Sequence, residues 1–178
     1  AIFNKKTLIF KFHHLQSSNL TFVDKDFEEK KIKFYDFKKY KNFFKKEQII
    51  IDPIERKKII EKKFHLILKK KNIIIEQNPK LMEEVVDLID HPYIIVCKFD
   101  KKFLKIPKEI LTITMQYHQK YFPTFDKKGS ITNEFLVVSN KKDLKGLIKL
   151  GNERVVEARL ADAKFFWQKD KSQNLVKQ

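Results

Sequence analysis

Residues 115 to 123, MQYHQKYFP, set the hydrogen-bonding side chains of Gln116, His118 and Gln119 beside Lys120, Tyr121 and Phe122. Amide, imidazole, ammonium and aromatic groups interleaved like this can stack on unpaired bases and bond to their edges. The competing reading is a turn that feeds a core strand, with Tyr121 and Phe122 buried. A second segment, GNERVVEARLADAKFFWQKD at 151 to 170, holds Arg154 and Arg159, two of only three arginines in the chain. A guanidinium grips phosphate with two parallel N–H donors, whereas an ammonium is a mobile point charge. Arg159 can instead pair with Asp162 on its own helix, a contact worth roughly 0.3 kcal/mol.

Other chemistries find little support. The five histidines, His13, His14, His65, His91 and His118, form no metal-binding spacing, and neighbours such as His13 and His14 point to opposite faces of a strand. Cys97 is the lone cysteine and falls in an apolar stretch, where a thiol behaves as a small hydrophobe; no disulfide framework or cysteine-rich zinc site is available. The carboxylates Glu83, Glu84, Asp87 and Asp90 share one acidic helix and read as a solvated face. No GxSxG, GxxxxGKS or GxGxxG occurs, so neither a nucleophile elbow nor a phosphate-cradling loop is present. No catalytic residue, metal ligand or cofactor site is therefore assigned.

Over 178 residues, 39 Lys and Arg face 23 Asp and Glu, a formal charge of +16. Such an excess suits a polyanion partner, because phosphate neutralisation releases counterions. All but three of the cations are lysine, however, and Lys, Ile, Phe and Asn are the residues that an AT-rich coding sequence writes by default. With 42% hydrophobic residues and 17 Phe, the chain can build a core. No apolar run approaches the roughly 20 residues of a membrane-spanning helix. The opening AIFNKKTLIF lacks a signal-peptide cleavage site, and Ala1 in place of Met points to an internal piece of a longer chain.

The elements that must position these residues follow from local signals. Thr7 to Phe12 and Leu20 to Val23 read as strands. Asp36 caps a helix carrying Phe37, Tyr40 and Phe44. Ile49 to Ile51 reads as a short buried strand. Asp52-Pro53 opens a helix with Ile60, Phe64, Ile67 and Leu68 inward and Lys57, Lys58, Lys62, Lys63 and Lys69 to Lys71 solvated. Ile73 to Ile75 is expected as a strand, Asn78-Pro79 as the start of a helix burying Leu81, Val85 and Leu88, and Tyr93 to Phe99 as a strand. Residues 107 to 117 fit both periods, and the Pro107-Glu109 start favours helix. Tyr121 to Phe125 and Phe135 to Ser139 flank DKKG as a hairpin. Asn152 is expected to cap a long helix with Val156, Leu160, Ala163 and Trp167 on one face. The class is α+β, a mixed sheet with packed helices in one continuous module over 1 to 150, followed by a long helix and tail over 151 to 178.

Six segments in order across the chain carry a resemblance: FKFHH at 10 to 14, ERKKII at 55 to 60, LMEEVVDLIDHP at 81 to 92, FLKIPKEILTITMQYHQKYFPTFD at 103 to 126, FLVVSN at 135 to 140, and GNERVVEARLADAKFFWQKD. Together they resemble the beta subunits of bacterial heterotetrameric glycyl-tRNA synthetases. The resemblance implies a cytoplasmic, ATP-dependent glycine-tRNA ligase whose glycine and ATP site lies in the separate alpha subunit. It implies a fold similar to the editing module of phenylalanyl-tRNA synthetase beta subunits, with tRNA, the alpha subunit and further beta-subunit domains as partners. The expected role is a noncatalytic tRNA-recognition and scaffold module, with Arg154, Arg159, His118, Gln119 and Lys120 as contact candidates. Two alternatives stand beside it: a docking domain that touches no RNA, and a hydrolytic editing site using His118 with Gln116 or Gln119 to orient water.

Overall fold

A computed structural model of the chain describes residues 1–25 and 28–172. The tail that follows the long helix lies outside the described residues. Contacts divide the chain into two compact units, Ala1–Asp52 and Pro53–Gln178.

The first unit consists of three two-stranded antiparallel hairpins and a helix. They are β1 (Ile2–Phe3) with β2 (Lys6–Thr7), β3 (Lys11–Phe12) with β4 (Leu15–Gln16), and β5 (Leu20–Lys25) with β6 (Glu28–Lys33). Asn4 and Lys5 both take positive φ, as a type I′ turn requires. The single strand expected over Thr7 to Phe12 is split in two. Ser17 intervenes, its hydroxyl accepting from Phe10 N–H at 2.9 Å and donating to the Leu8 carbonyl at 2.5 Å, so residues between β2 and β3 bond to a side chain rather than a ladder. Helix α1 (Phe37–Lys46) starts where Asp36 accepts from the Lys39 amide at 2.7 Å. It ends with Gln48 at φ 58° and the Ile49 amide donating back to Phe44 at 2.8 Å. That is a Schellman closure, so Ile49 to Ile51 leave the helix without forming the expected strand.

The second unit is a three-layer arrangement. Its sheet, in the order β7 (Tyr93–Lys98), β9 (Ile131–Ser139), β8 (Phe122–Phe125), is antiparallel throughout rather than mixed. Cross-strand pairs alternate between two cores. Cys97↔Phe135 and Ile95↔Val137 face a core with Leu111, Met115, Val156 and Leu160; Val96↔Leu136 faces another with Ile60, Phe64, Leu81, Val85 and Val86. The helices α4 (Lys108–Ile113) and α5 (Leu147–Ser172) cover the first face, and α2 (Pro53–Lys71) and α3 (Pro79–Leu88) the second. A sheet buried on both faces explains the nearly continuous apolar run through Tyr93 to Cys97.

Several expectations shift here. Leu88 is 64% exposed, its inward place taken by Val86 and Ile89. Asn72 takes φ 57° while the Ile73 amide returns to Leu68 at 3.1 Å, another Schellman closure, so the expected strand shrinks to one bridge, Ile74↔Phe125. Two lysines of α2 are not simply solvated: Lys63 donates to the Pro92 carbonyl at 2.5 Å, and Lys71 to Glu134 at 2.9 Å. The last helix starts at Leu147, ahead of Asn152, because the Asp143 carboxylate accepts from the Ile148 and Lys149 amides at 3.2 and 2.8 Å.

Candidate nucleic-acid interface

The MQYHQKYFP segment follows α4 as one π-helical turn, Thr114–His118, closed by Lys120 at φ 57° and a Tyr121 amide bond to the Met115 carbonyl at 3.0 Å. Leu111 and Met115 are fully buried four residues apart, whereas Ile113 and Tyr117 are exposed, which settles the ambiguous period as helical. The wider turn carries His118 outward and drives Tyr121 and Phe122 into the core, as the competing reading required. The Tyr121 ring stacks on Phe135 at 5.2 Å, and its hydroxyl donates to the Asn152 side chain. Burial pushes the Tyr121 phenol up to about 12. Asn152 thus sits inside α5 as the partner of a buried tyrosine, its amide donating to Ile148 O at 2.6 Å, rather than acting as a cap.

The polar members of the segment are largely committed to α3. Asn78 caps that helix by accepting from the Leu81 amide at 3.0 Å and donates to the Gln116 carbonyl oxygen at 3.1 Å. Lys120 meets Glu84 at 2.5 Å, and its hydrogen bond holds the Glu84 carboxyl below its ordinary range. The same ammonium lies 5.7 Å from the centre of the Tyr117 ring, whose edge also meets His118 at 5.0 Å. Gln119 is half-buried and His118 exposed. The outward group of this segment is therefore Tyr117 with His118, a ring that its spacing alone did not single out.

On α5 two glutamates are committed to the end of β7. Glu153 accepts from the Lys98 amide at 2.8 Å and Glu157 from the Asp100 amide at 3.0 Å, so two carboxylates one turn apart close the end of β7. Asp100 in turn accepts from the Lys102 amide at 2.8 Å, which holds its carboxyl below the usual range and starts a 3-10 turn over Lys101–Lys105. Arg154 and Arg159 are both exposed, and no ion pair joins Arg159 to Asp162. Five residues apart, the two arginines point about 140° from one another around the helix. Hydrogen bonds and ion pairs among the described residues do not link them to His118, Gln119 or Lys120; the structure gives two separate cationic points.

Cys97 lies fully buried on β7 with its thiol pushed up to about 12, mainly by burial and further by Glu153, in keeping with an inert thiol. Among the described residues no group of three His, Cys, Asp or Glu side chains is placed to hold a metal ion. No helix is long and apolar enough to cross a membrane. A cleft of about 680 Å³ opens beside α2, floored by Phe64, Leu68, Met82 and Phe122 and edged by Lys57 and Lys69.

The family model described as glycyl-tRNA synthetase beta subunit matches residues 1–178. The glycine–tRNA ligase beta subunit of Rickettsia akari (strain Hartford) is 36% identical over 176 residues, covering 98% of this chain and 27% of the relative. Those of Rickettsia peacockii (strain Rustic) and Rickettsia prowazekii (strain Madrid E) are 37% and 36% identical over the same length, each match covering 26% of the relative. The chain spans about a quarter of the length of these curated relatives. On a match that runs the length of the chain, this protein belongs to the glycyl-tRNA synthetase beta subunit family.

Proposed function

We propose that this chain is a noncatalytic tRNA-recognition and scaffold module of a cytoplasmic glycine-tRNA ligase. The ligase uses ATP to attach glycine to tRNA at a site in its alpha subunit. The observation that carries this reading is the charge division on α5: the glutamates are spent on the β7 end, while Arg154 and Arg159 stand exposed toward solvent. A guanidinium exposed in that way is suited to phosphate. His118, Gln119 and Lys120 form a second contact point, and the helix that carries the arginines leads from the α+β module toward the remaining domains of the subunit. The module is similar in fold to the editing region of phenylalanyl-tRNA synthetase beta subunits, without its hydrolytic role.

The test measures tRNA affinity at two salt concentrations for Arg154→Gln, Arg159→Gln and a Lys57→Gln, Lys58→Gln control. Each lost phosphate contact flattens the log–log salt slope by roughly 1, and the arginine changes should exceed the lysine control. Arginine variants that melt earlier but bind tRNA unchanged would favour a docking scaffold instead.

A further inference from the structure

We infer that the lysine face of α1 docks the phosphate backbone of base-paired RNA, with Lys38, Lys39, Lys45 and Lys46 on phosphates and Asn42 between them at a ribose 2′-hydroxyl. The inference deepens the tRNA-recognition reading above and rests on it.

The helix FKKYKNFFKK divides cleanly around its axis. At 100° per residue, Lys38, Lys39, Asn42, Lys45 and Lys46 fall within an arc of about 120°, with Lys41 at its edge; Phe37, Tyr40, Phe43 and Phe44 fill the opposite side. The structure holds that aromatic side inward. Tyr40 packs on Phe34, just beyond β6, and on Phe44, each at 4.7 Å between ring centres. All five lysines and Asn42 are exposed.

The charge on this face is uncompensated. No Asp or Glu occurs from Phe37 to Lys46, and none of the five lysines forms an ion pair among the described residues. The recess along β6 is lined by Lys38, Lys39, Lys45 and Lys46 against one carboxylate, Asp36, which already accepts from the Lys39 amide. Glu47, just past the helix, is turned to Lys30. By contrast, α2 mixes its lysines with Glu55 and Glu61. The placement also works against the isolated helix: Lys38 and Lys39 sit in the first turn, where the dipole disfavours cations, and Lys41 neighbours Lys38 and Lys45 at three and four residues. A bound polyanion relieves both repulsions.

The chemistry of the occupant follows from what the face holds and lacks. It has no apolar centre, and protein-binding cores are depleted in lysine. It has no ring on which an unpaired base would stack, the usual platform for single strands. Lys38 and Lys45, about 10 Å apart along the axis, instead suit a partner that repeats negative charge at close spacing, as a nucleic-acid duplex does. Asn42, at the middle of the arc, both donates and accepts, the complement of the 2′-hydroxyl that a base-paired RNA displays and DNA lacks.

The experiment titrates the intact chain with labelled duplex RNA of about 16 base pairs, with duplex DNA and oligouridylate of equal length, and with tRNA, polyglutamate serving as a competing polyanion. Duplex RNA should bind more tightly than the single strand. Lys38→Gln with Lys45→Gln should weaken duplex binding at least ten-fold at about 0.1 M salt and flatten the log–log salt slope by roughly 0.9 per lost contact. Lys57→Gln with Lys58→Gln, the same loss of charge on α2, should do less. The α1 change should not lower the melting temperature, since it removes repulsion, and Lys38→Arg with Lys45→Arg should retain binding. Asn42→Ala should bring the RNA and DNA duplex affinities together.

Equal losses from the α1 and α2 changes, or a single strand bound more tightly than the duplex, would overturn the inference. So would polyglutamate competing as well as duplex RNA, which would mark a face for an acidic protein. If tRNA binding responds to Arg154→Gln but not to the α1 change, this inference fails while the recognition reading stands. If no RNA binds at all, both fail.

Discussion

Glu134 on β9 draws three elements together, accepting from Lys71 at the end of α2 and meeting Lys98 of β7 at 3.3 Å. Burial alone would raise its carboxyl, but the two lysine hydrogen bonds outweigh it and hold it below the ordinary glutamate range. A depressed folded-state value means stability that is present above the ordinary value near 4.3 and lost as pH falls through the lower folded one. Glu134→Gln should therefore cost about 1 kcal/mol near neutrality and progressively less below about pH 4, as read from urea midpoints across that range. Local roles were legible at this scale: Asp36 and Asn78 cap their helices from one turn away, within reach of a sequence pattern. Glu134 was not, because its partners lie far away along the chain and only the sheet brings them together.

At the scale of elements, two of the misread segments share one cause. Ile49 and Ile73 each follow a lysine-rich helix and a polar residue in the left-handed region, Gln48 or Asn72, and each closes its helix by an amide bond. An apolar residue is favoured at that closing position for its contact with the last helical turn, so it imitates the start of a strand. The early start of α5 has a related origin, since Asp143 reaches its amides from a preceding loop whereas a nearby Asn152 looks like a cap in sequence. The division of labour on α5 gives a second expectation. Removing a carboxylate that accepts a backbone amide costs about 1 to 2 kcal/mol. Glu153→Ala and Glu157→Ala should each lower the denaturation midpoint accordingly, and Arg154→Ala should leave it within about 0.5 kcal/mol. An arginine change as damaging as the glutamate changes would show that Arg154 also holds the fold.

Across the whole molecule the two units differ in what they bury. Residues from Ile60 to Leu160 supply two cores around one sheet, whereas Val23 is the only buried apolar residue among those described in the first unit. Short hairpins without a shared core are marginal in water. Residues 53–178 alone should therefore melt cooperatively by circular dichroism, and residues 1–52 alone should show no cooperative transition. A sharp transition in the short piece would mean that its exposed rings gather into a core of their own.

Local chemistry written in the residues determined where most helices lie, the caps at Asp36 and Asn78, the DKKG hairpin, the buried thiol and the ordered segments by which the family is recognised. Each rests on interactions spanning one turn of helix or one tight loop, or on the order of motifs. Tertiary structure alone decided that the central sheet is antiparallel and covered on both faces, that Tyr121 is buried against Asn152 while Tyr117 faces out, and that Phe22 stands opposite Lys31 across its hairpin. Those facts depend on strand register and on which of two alternating faces meets a helix, and a one-residue shift in register would exchange every inward and outward side chain of a strand.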